Sequence, residues 1–259
     1  MTQNDKITFS FGENWLNYLD TVTQERYQQA YDSLANLLDL EDLTGQTFLD
    51  IGCGSGLFSA SALSMNAQKV ISVDVDPKSV QATQSLKEQR HDVEHWQVLH
   101  GSILDDAFVS QLEPADVLYS WGVLHHTGEM WRAIDNASKL VKPDGLFIIA
   151  IYNKHRTSEF WLRYKRLYNS SGTIGKQALA WTFFIPRMAS RLVKGKHPLR
   201  EKRGMSVYYD VIDWVGGLPY EYASFDEIMD FCQARGFTLQ KSIPTSSIGC
   251  NQFVFRLEE

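Results

Sequence analysis

With 259 residues, 44% of them hydrophobic and 22% charged, the chain has the composition of a globular protein that buries a sizeable core. No stretch approaches the ~18 uninterrupted apolar residues of a membrane span, and the first fifteen residues lack the basic and apolar regions of a signal peptide. The formal net charge of −6 conceals a basic region, because residues 154–203 carry 13 Lys and Arg against two acidic residues, which favours an anionic partner for that segment.

In chain order, apolar and aromatic residues at helical spacing predict a helix over about 13–42. Strand patterns then alternate with helical patterns, which predicts a Rossmann-like, doubly wound α/β fold with a mostly parallel seven-stranded sheet. Further along, Ser224 and Glu227 form a capping-box pattern, and Gly236 ends the predicted helix. Two closely spaced strands follow and predict a hairpin, and hence an antiparallel edge strand.

These patterns divide the chain into four predicted regions. They are an N-terminal helical cap at 1–45, a Rossmann-like core at 46–153, a basic and aromatic helical insertion at 154–222, and a C-terminal helix and hairpin at 223–259 that complete the core. The insertion has four open interpretations: a lid over an anionic or lipid-linked small molecule, a nucleic-acid surface, peripheral membrane contact through 178–194, or a solvated basic face over buried aromatic residues. The pI near 5.7 makes nucleic acid a less favoured partner.

The main chemical motif is Asp50-Ile51-Gly52-Cys53-Gly54-Ser55-Gly56, which ends the first predicted strand and opens a helix. Glycines allow a tight turn close to a ligand, and backbone N–H groups at a helix N-terminus then face that ligand. Asp74 ends the next predicted strand, where a carboxylate suits ribose hydroxyls. Leu57 stands where a dinucleotide fingerprint requires glycine. This favours S-adenosylmethionine (SAM) over NAD, with Asp50 suited to the ammonium of the methionine part.

The chain resembles class I SAM-dependent methyltransferases over about residues 48–145 and in its two terminal strands. The resemblance is carried by five segments: Phe48–Gly56, Val73–Pro77, Gly101–Ile103, Asp116–His126 and Leu140–Gly145. It implies that Val75 and the segment Gly101–Ile103 lie beside the adenine of SAM.

Two further segments, Trp121–His126 and Phe11–Trp15, are similar to a bacterial subgroup related to small-molecule O-methyltransferases such as the ubiquinone-pathway enzymes. Trp15 is also compatible with a core position on the first helix. The resemblance implies a SAM site formed by the following residues: Phe11, Trp15, Asp50, Gly52, Gly54, Gly56, Asp74, Val75, Ser102, Ile103, Ser120 and Trp121.

Candidate catalytic residues follow the fourth and fifth predicted strands. His125 and His126 come after the fourth strand, and Tyr152 ends the fifth. A histidine with an ordinary pKa of about 6.5 is a candidate base at neutral pH, although helix capping or packing would equally explain these residues. Adjacent histidines are expected to point apart, and no metal site is predicted. An aromatic and acidic cluster in the insertion is a candidate substrate clamp or a packed helix face: Tyr208, Tyr209, Asp210, Asp213 and Trp214.

The sequence thus predicts a SAM-dependent methyltransferase acting on an oxygen or nitrogen of a small anionic or lipid-linked acceptor. Three cysteines without CxxC spacing favour the cytoplasm. Three alternatives stay open: a SAM-binding module without transfer activity, an enzyme that uses SAM without transferring methyl, and an RNA or protein methyltransferase that uses the basic insertion. The oligomeric state is equally open.

Overall fold

A computed structural model describes residues 24–90, 93–193 and 207–258. Its strands form one seven-stranded sheet in the order β3-β2-β1-β4-β5-β7-β6. Neighbours among β1 to β5 are parallel, which confirms the predicted Rossmann-like α/β fold. The strands are β1 Thr47–Ile51, β2 Lys69–Asp74, β3 Trp96–His100, β4 Ala115–Trp121, β5 Val141–Tyr152, β6 Phe237–Ile243 and β7 Cys250–Leu257.

Helices connect the strands and make up most of the described part of residues 154–222, the segment for which we keep the name insertion. The predicted N-terminal helix is described from Gln24 onwards, and Phe11 and Trp15 lie outside the described residues. The helices are α1 Gln24–Leu38, α2 Leu57–Ser64, α3 Pro77–Glu88, α4 Asp106–Val109, α5 Met130–Ser138, α6 Ser158–Ser170, α7 Thr173–Val193, α8 Val207–Gly216 and α9 Phe225–Gln233.

The antiparallel strand of the sheet is β7, and it lies one position inside the edge. It pairs antiparallel with β5 on one side and with β6 on the other, so the edge strand β6 runs parallel to β1 through β5. Burial explains this order: Phe253, Val254 and Phe255 of β7 are at most 2% exposed, whereas β6 buries Phe237 and leaves the rest of the strand partly or fully exposed. The more apolar strand of the hairpin occupies the position with neighbours on both sides.

Side chains of successive strand residues point to opposite faces and feed two separate cores. On one face, Leu49 and Phe147 join a cluster that includes α5 and α9. On the other face, Phe48 and Ile148 join a cluster that includes α1 and α2. A third, smaller cluster joins α6, α7 and α8 through Tyr168, Ala180, Val211 and Val215.

The start of α9 follows the predicted capping box. The Ser224 hydroxyl accepts from the Glu227 N–H at 3.2 Å, and the Glu227 carboxylate accepts from the Ser224 N–H at 2.7 Å. These bonds satisfy two backbone donors that a helix N-terminus otherwise leaves without partners. They therefore fix the start of α9 at Ser224.

We predict that Ser224→Ala lowers the free energy of unfolding by about 1 kcal/mol, because the cap hydroxyl no longer accepts from the helix. Urea denaturation followed by circular dichroism measures the change. Ser224→Asp, which keeps a capping oxygen, is the matched control and is expected to retain most of the stability. Equal stability of Ser224→Ala and the parent protein would contradict the role assigned to the cap.

Candidate active site

The turn between β1 and α2 is shaped by glycines in left-handed conformations. Gly52, Gly54 and Gly56 have φ values of +79°, +55° and +78°. A Cβ on Gly52 would lie 2.4 Å from both methyl carbons of Val123, and a Cβ on Gly56 would lie 2.8 Å from Cγ2 of Thr83. At positions 52 and 56, both the backbone conformation and the available space therefore require glycine.

Asp74 connects the end of β2 to this turn. One oxygen of its carboxylate accepts from the Gly54 N–H at 3.0 Å, and the other accepts from the Asp76 N–H at 2.9 Å. Burial raises the pKa of Asp74 to about 6, although these N–H donors act in the opposite direction. The carboxylate is thus held next to the glycine turn, where ribose hydroxyls would meet an anionic acceptor.

Asp50 lies beneath the turn, with 2% of its surface exposed. Ser59 donates its hydroxyl to the Asp50 carboxylate at 2.6 Å, and a chain of bonds continues through Ser72 to the indole N–H of Trp96. Burial raises the pKa of Asp50 to about 7, and the negative charge of Asp74 adds to this shift. The contact of Asp50 in the structure is Ser59, and the expected contact with a methionine ammonium stays a prediction.

The loops after β2 and β3 contain the residues expected to contact adenine. Val75 is 46% exposed and offers an apolar surface beside Asp74, whereas Ile103 is 6% exposed. The Ser102 hydroxyl accepts from the Leu104 N–H at 3.1 Å. The Gly101 N–H donates to the Asp74 carbonyl at 3.0 Å, so the two loops are adjacent.

Ser120 and Trp121, at the end of β4, use their polar side-chain atoms inside the protein. The fully buried Ser120 donates to the Ile51 carbonyl at 2.9 Å. The indole N–H of Trp121 donates to the side-chain oxygen of Gln252 at 3.1 Å. These bonds join β4 to β1 and β7, so a cofactor contact through the same atoms would have to replace them.

A short 3₁₀ helix, Leu124–His126, follows β4 and carries the two histidines. His125 is fully buried, and its Nδ1 accepts from the Tyr152 N–H at 3.4 Å. Its Nε2 is buried and makes no hydrogen bond within the described residues. His126 Nδ1 lies 2.6 Å from the Pro219 carbonyl oxygen. Because that oxygen only accepts, Nδ1 carries the proton and Nε2 is the basic atom of His126.

The pKa values of both histidines differ from the ordinary value that the sequence interpretation used. Burial lowers the pKa of His125 well below 6.5 and that of His126 to about 3, and the positive charge of Lys165 acts in the same direction. Both imidazoles are therefore neutral near pH 7. The expectation that they point apart is wrong, because their ring centroids are 4.5 Å apart and both rings contact Tyr152.

Three aromatic rings surround a buried lysine at the end of β5; we call this group, Tyr152, Lys165, Trp214 and Tyr220, the aromatic box. The Tyr152 ring centroid lies 5.1 Å from that of Trp214 and 5.2 Å from that of Tyr220. Lys165 is fully buried, and its Nζ lies 4.4 Å and 4.9 Å from the Trp214 and Tyr220 centroids. It also donates to the Trp214 carbonyl. The box connects α6 and α8 to the sheet.

Sequence reasoning missed the positions of Lys165 and Tyr220. Lys165 was grouped with the other basic residues of the insertion, yet it follows Ser158 by seven positions and precedes Tyr168 by three, and all three residues are buried. That helical spacing was the available signal for an inward-facing lysine. Tyr220 had no comparable signal.

The predicted aromatic and acidic cluster and the question of a metal site concern residues that the structure describes only in part. The side chains of Tyr208, Tyr209, Asp210 and Asp213 lie outside what the structure describes, whereas Trp214 is described. Within the described ranges, no three His, Cys, Asp or Glu side chains come together in a way that could hold a metal ion.

Comparison with known proteins shows that part of the chain is similar to methyltransferases. Residues 49–147 match the family described as "Methyltransferase domain". Ribosomal protein L11 methyltransferase of Photobacterium profundum is 36% identical over 114 residues, which are 44% of this chain and 36% of that protein. The same enzyme of Histophilus somni is 34% identical over 112 residues. This chain thus spans about a third of the length of these relatives.

Similar solved structures cover nearly the whole chain. Magnesium protoporphyrin IX methyltransferase (ChlM) from Synechocystis PCC 6803 with bound SAH has a TM-score of 0.57 at 16% identity, covering 95% of this chain and 94% of that one. N-methyltransferase NodS from Bradyrhizobium japonicum with S-adenosyl-L-homocysteine has a TM-score of 0.54 at 14% identity, covering 97% and 100%. The relation to ubiquinone-pathway enzymes stays a prediction. Residues 49–147 therefore match a methyltransferase domain, and the chain shares the fold of solved methyltransferases that bind S-adenosyl-L-homocysteine.

Proposed function

We propose that this protein transfers a methyl group from SAM to an oxygen or nitrogen of a small anionic acceptor, held between the histidine-bearing loop and the aromatic box. The observation that carries the proposal is the contact between the glycine turn and that loop. A Cβ on Gly52 would collide with Val123, which stands two positions before His125. A ligand on the glycine turn and a ligand beside the histidines would therefore be neighbours.

The position in the sheet supports the same arrangement. In the sheet, β1 and β4 are neighbours but are not consecutive in the chain. The strand order reverses between them, so their carboxyl ends flank the topological switch point. Ligands of open α/β sheets bind in the crevice at such a point. The glycine turn follows β1, the histidines follow β4, and Tyr152 ends the neighbouring β5.

Electrostatics favours an anionic acceptor. Lys165 is buried among aromatic rings, and its charge lowers the pKa of both histidines. A charge acts over a longer range in such surroundings than in water. An acceptor with a carboxylate or phosphate near this position would be attracted by the same field.

The residues of the site would act mainly by orienting the acceptor and excluding water. When bound, SAM supplies an electrophilic methyl group to the attacking lone pair. His126 is placed to accept a hydrogen bond at Nε2, since its Nδ1 proton is held by the Pro219 carbonyl. With a pKa of about 3, this imidazole binds a proton weakly. Positioning of the nucleophile therefore has the larger share in the proposed rate enhancement.

Methylation of a protein is the second candidate, and the similarity to ribosomal protein L11 methyltransferases favours it. The matched stretch is at most 114 residues in the relatives described above, and the family match is confined to 49–147. The insertion, which supplies Lys165, Trp214 and Tyr220, lies outside that family match. This is why we rank a small acceptor first.

The direct test incubates the purified protein with methyl-labelled SAM and a cell extract separated into small-molecule, protein and RNA fractions. Mass spectrometry then identifies the labelled product. Label in an anionic small molecule supports the proposal, and label in a ribosomal protein or RNA supports the alternatives. SAM binding without label in any fraction indicates a binding module.

We predict that Gly52→Ala weakens SAM binding by more than about tenfold, because the added methyl collides with Val123 and deforms the turn. Isothermal titration calorimetry measures the affinity. Gly45→Ala is the matched control, since Gly45 has φ +80° but open space at its Cβ; it is expected to cost about 1 kcal/mol of stability and to leave the affinity unchanged.

The double variant Gly52→Ala/Val123→Ala separates the two effects on the turn. Removing the Val123 methyl groups reduces the collision but leaves the Cβ of residue 123 at 2.9 Å from the added Cβ, so we expect partial recovery of affinity relative to Gly52→Ala alone. If Gly52→Ala binds SAM as tightly as Gly45→Ala, the glycine turn does not form the cofactor site.

We predict that SAM affinity is constant above pH 7 and declines as the pH falls through about 6, the pKa of Asp74. Ionised Asp74 accepts from ribose hydroxyls, and protonation removes this acceptor, so affinity is present above the pKa and lost below it. Below the pKa the decline approaches about tenfold per pH unit. Calorimetry between pH 5 and 8 follows it.

Two variants assign this pH dependence. Asp74→Asn is expected to bind SAM weakly at every pH and to lack the decline, whereas Asp50→Asn is expected to retain it. Asp50 is the necessary control because its pKa of about 7 lies in the same range. If the decline persists in Asp74→Asn and disappears in Asp50→Asn, the titrating group is Asp50, and the prediction for Asp74 is contradicted.

We predict that Lys165→Met keeps SAM binding but reduces turnover of the identified acceptor at least about tenfold, mainly through a higher KM. Methionine has a similar volume and no charge, so the box loses its field while keeping its packing. Arg166→Met, on the exposed side of the same helix, is the matched control with normal turnover. Thermal unfolding checks that both variants fold, and full activity of Lys165→Met would contradict an anionic acceptor at this position.

A further inference from the structure

The outward face of α7 is a continuous row of apolar residues. Ile174, Trp181, Ile185 and Leu192 are 85%, 51%, 60% and 59% exposed, and exposed alanines at 178 and 189 complete a row at three- and four-residue steps. Residues with this spacing share one side of a helix. Single exposed apolar residues are common on protein surfaces, but a row along the whole helix is not explained that way.

Packing within the insertion does not account for this row. Leu179, Ala180, Phe183 and Phe184 of the same helix form its inward side and join the cluster shared with α6 and α8. The helix is therefore apolar on two sides, of which one is covered. Helix α6 adds two exposed apolar side chains, Phe160 at 58% and Leu167 at 55%.

The charge of the segment identifies the kind of surface that would cover the row. Helix α7 contains no acidic residue, and residues 154–203 carry 13 Lys and Arg against two acidic residues. The chain as a whole has a net charge of −6, so the positive charge is concentrated in this segment of the sequence. An apolar helix side within a basic segment is complementary to a surface that is apolar inside and anionic outside.

We propose that the outward face of α6 and α7 docks on an anionic lipid surface, with the apolar row of α7 inserted at the level of the headgroups. Within the described residues, no helix is long and apolar enough to traverse a bilayer, so the contact is one of a helix lying in the interface. Trp181 suits that position, because indole rings combine apolar area with a polar N–H. The docking is independent of the proposed transfer activity.

The same helix α6 faces the aromatic box on its other side. Lys165 points into the box, whereas Phe160 and Leu167 are exposed. A helix with side chains is about 10 Å across, so a docked lipid surface would lie about one helix diameter from the proposed acceptor position. Docking would thus bring a lipid-linked acceptor close to the site.

The test uses the full chain and measures co-sedimentation with vesicles of phosphatidylcholine alone and of phosphatidylcholine mixed with phosphatidylglycerol. We expect binding to the mixed vesicles, at least about tenfold weaker binding to phosphatidylcholine alone, and weakening at high salt. Trp181→Glu/Ile185→Glu is expected to reduce binding at least about tenfold. Ile243→Glu, which changes an exposed apolar residue on β6, is the matched control and should bind as the parent protein does.

SAM affinity of Trp181→Glu/Ile185→Glu, measured by calorimetry, verifies that the variant is folded. Equal binding to both vesicle types, or unchanged binding of this variant, would overturn the proposal. So would a dimer in sedimentation velocity that the same substitutions dissolve, because the row would then be covered by a second copy of the chain. Salt-sensitive binding of RNA in place of vesicles would likewise overturn it.

Discussion

The contact between Gly52 and Val123 connects the two halves of the candidate site. The turn after β1 approaches the loop after β4 so closely that a single methyl group at position 52 would not fit. Positions 52, 54 and 56 have left-handed backbone, which favours glycine, and the absence of side chains there keeps carbon atoms out of the crevice. Everything proposed for the transfer reaction depends on this closeness, since a methyl donor and an acceptor have to meet within it.

Polar groups beneath and beside the crevice are buried, and burial shifts the pKa values of the acidic and basic groups in opposite directions. Burial raises the pKa values of Asp50 and Asp74 towards neutrality and lowers those of the two histidines. In both cases the neutral form is favoured, as desolvation requires. Lys165 is the cation of the aromatic box, and its charge adds to the lowering of the pKa values of both histidines.

The insertion serves two surfaces at once. Its inner side supplies Lys165 and Trp214 to the aromatic box, and its outer side presents the apolar row of α7. A helix pair that is apolar on both sides gains stability from its own small cluster and retains a surface for a partner. In this arrangement the membrane interpretation and the small-acceptor interpretation of the basic segment are compatible, because they concern opposite sides of the same helices.

Local and periodic features could be predicted from the sequence. The strand and helix alternation, the glycine turn with Asp74 at the next strand end, and the capping box at Ser224 all follow from rules that act over a few residues. The parallel sheet then follows from the alternation. The positions of α1 and α9 were predictable for the same reason.

Only the tertiary structure decided the features that depend on residues far apart in the chain. The position of β7 between β5 and the edge strand β6 depends on competition between β6 and β7 for the buried place beside β5. The tautomer of His126 depends on the carbonyl of Pro219, which is 93 positions away. Lys165 meets Tyr152, Trp214 and Tyr220 because three separate elements converge on one point. The amino-acid sequence by itself determined which elements form and where the glycine turn lies, because these depend on local backbone preferences and on periodicity. Long-range packing decided the protonation of the histidines and the surroundings of the buried lysine, because burial and charge are properties of the assembled fold.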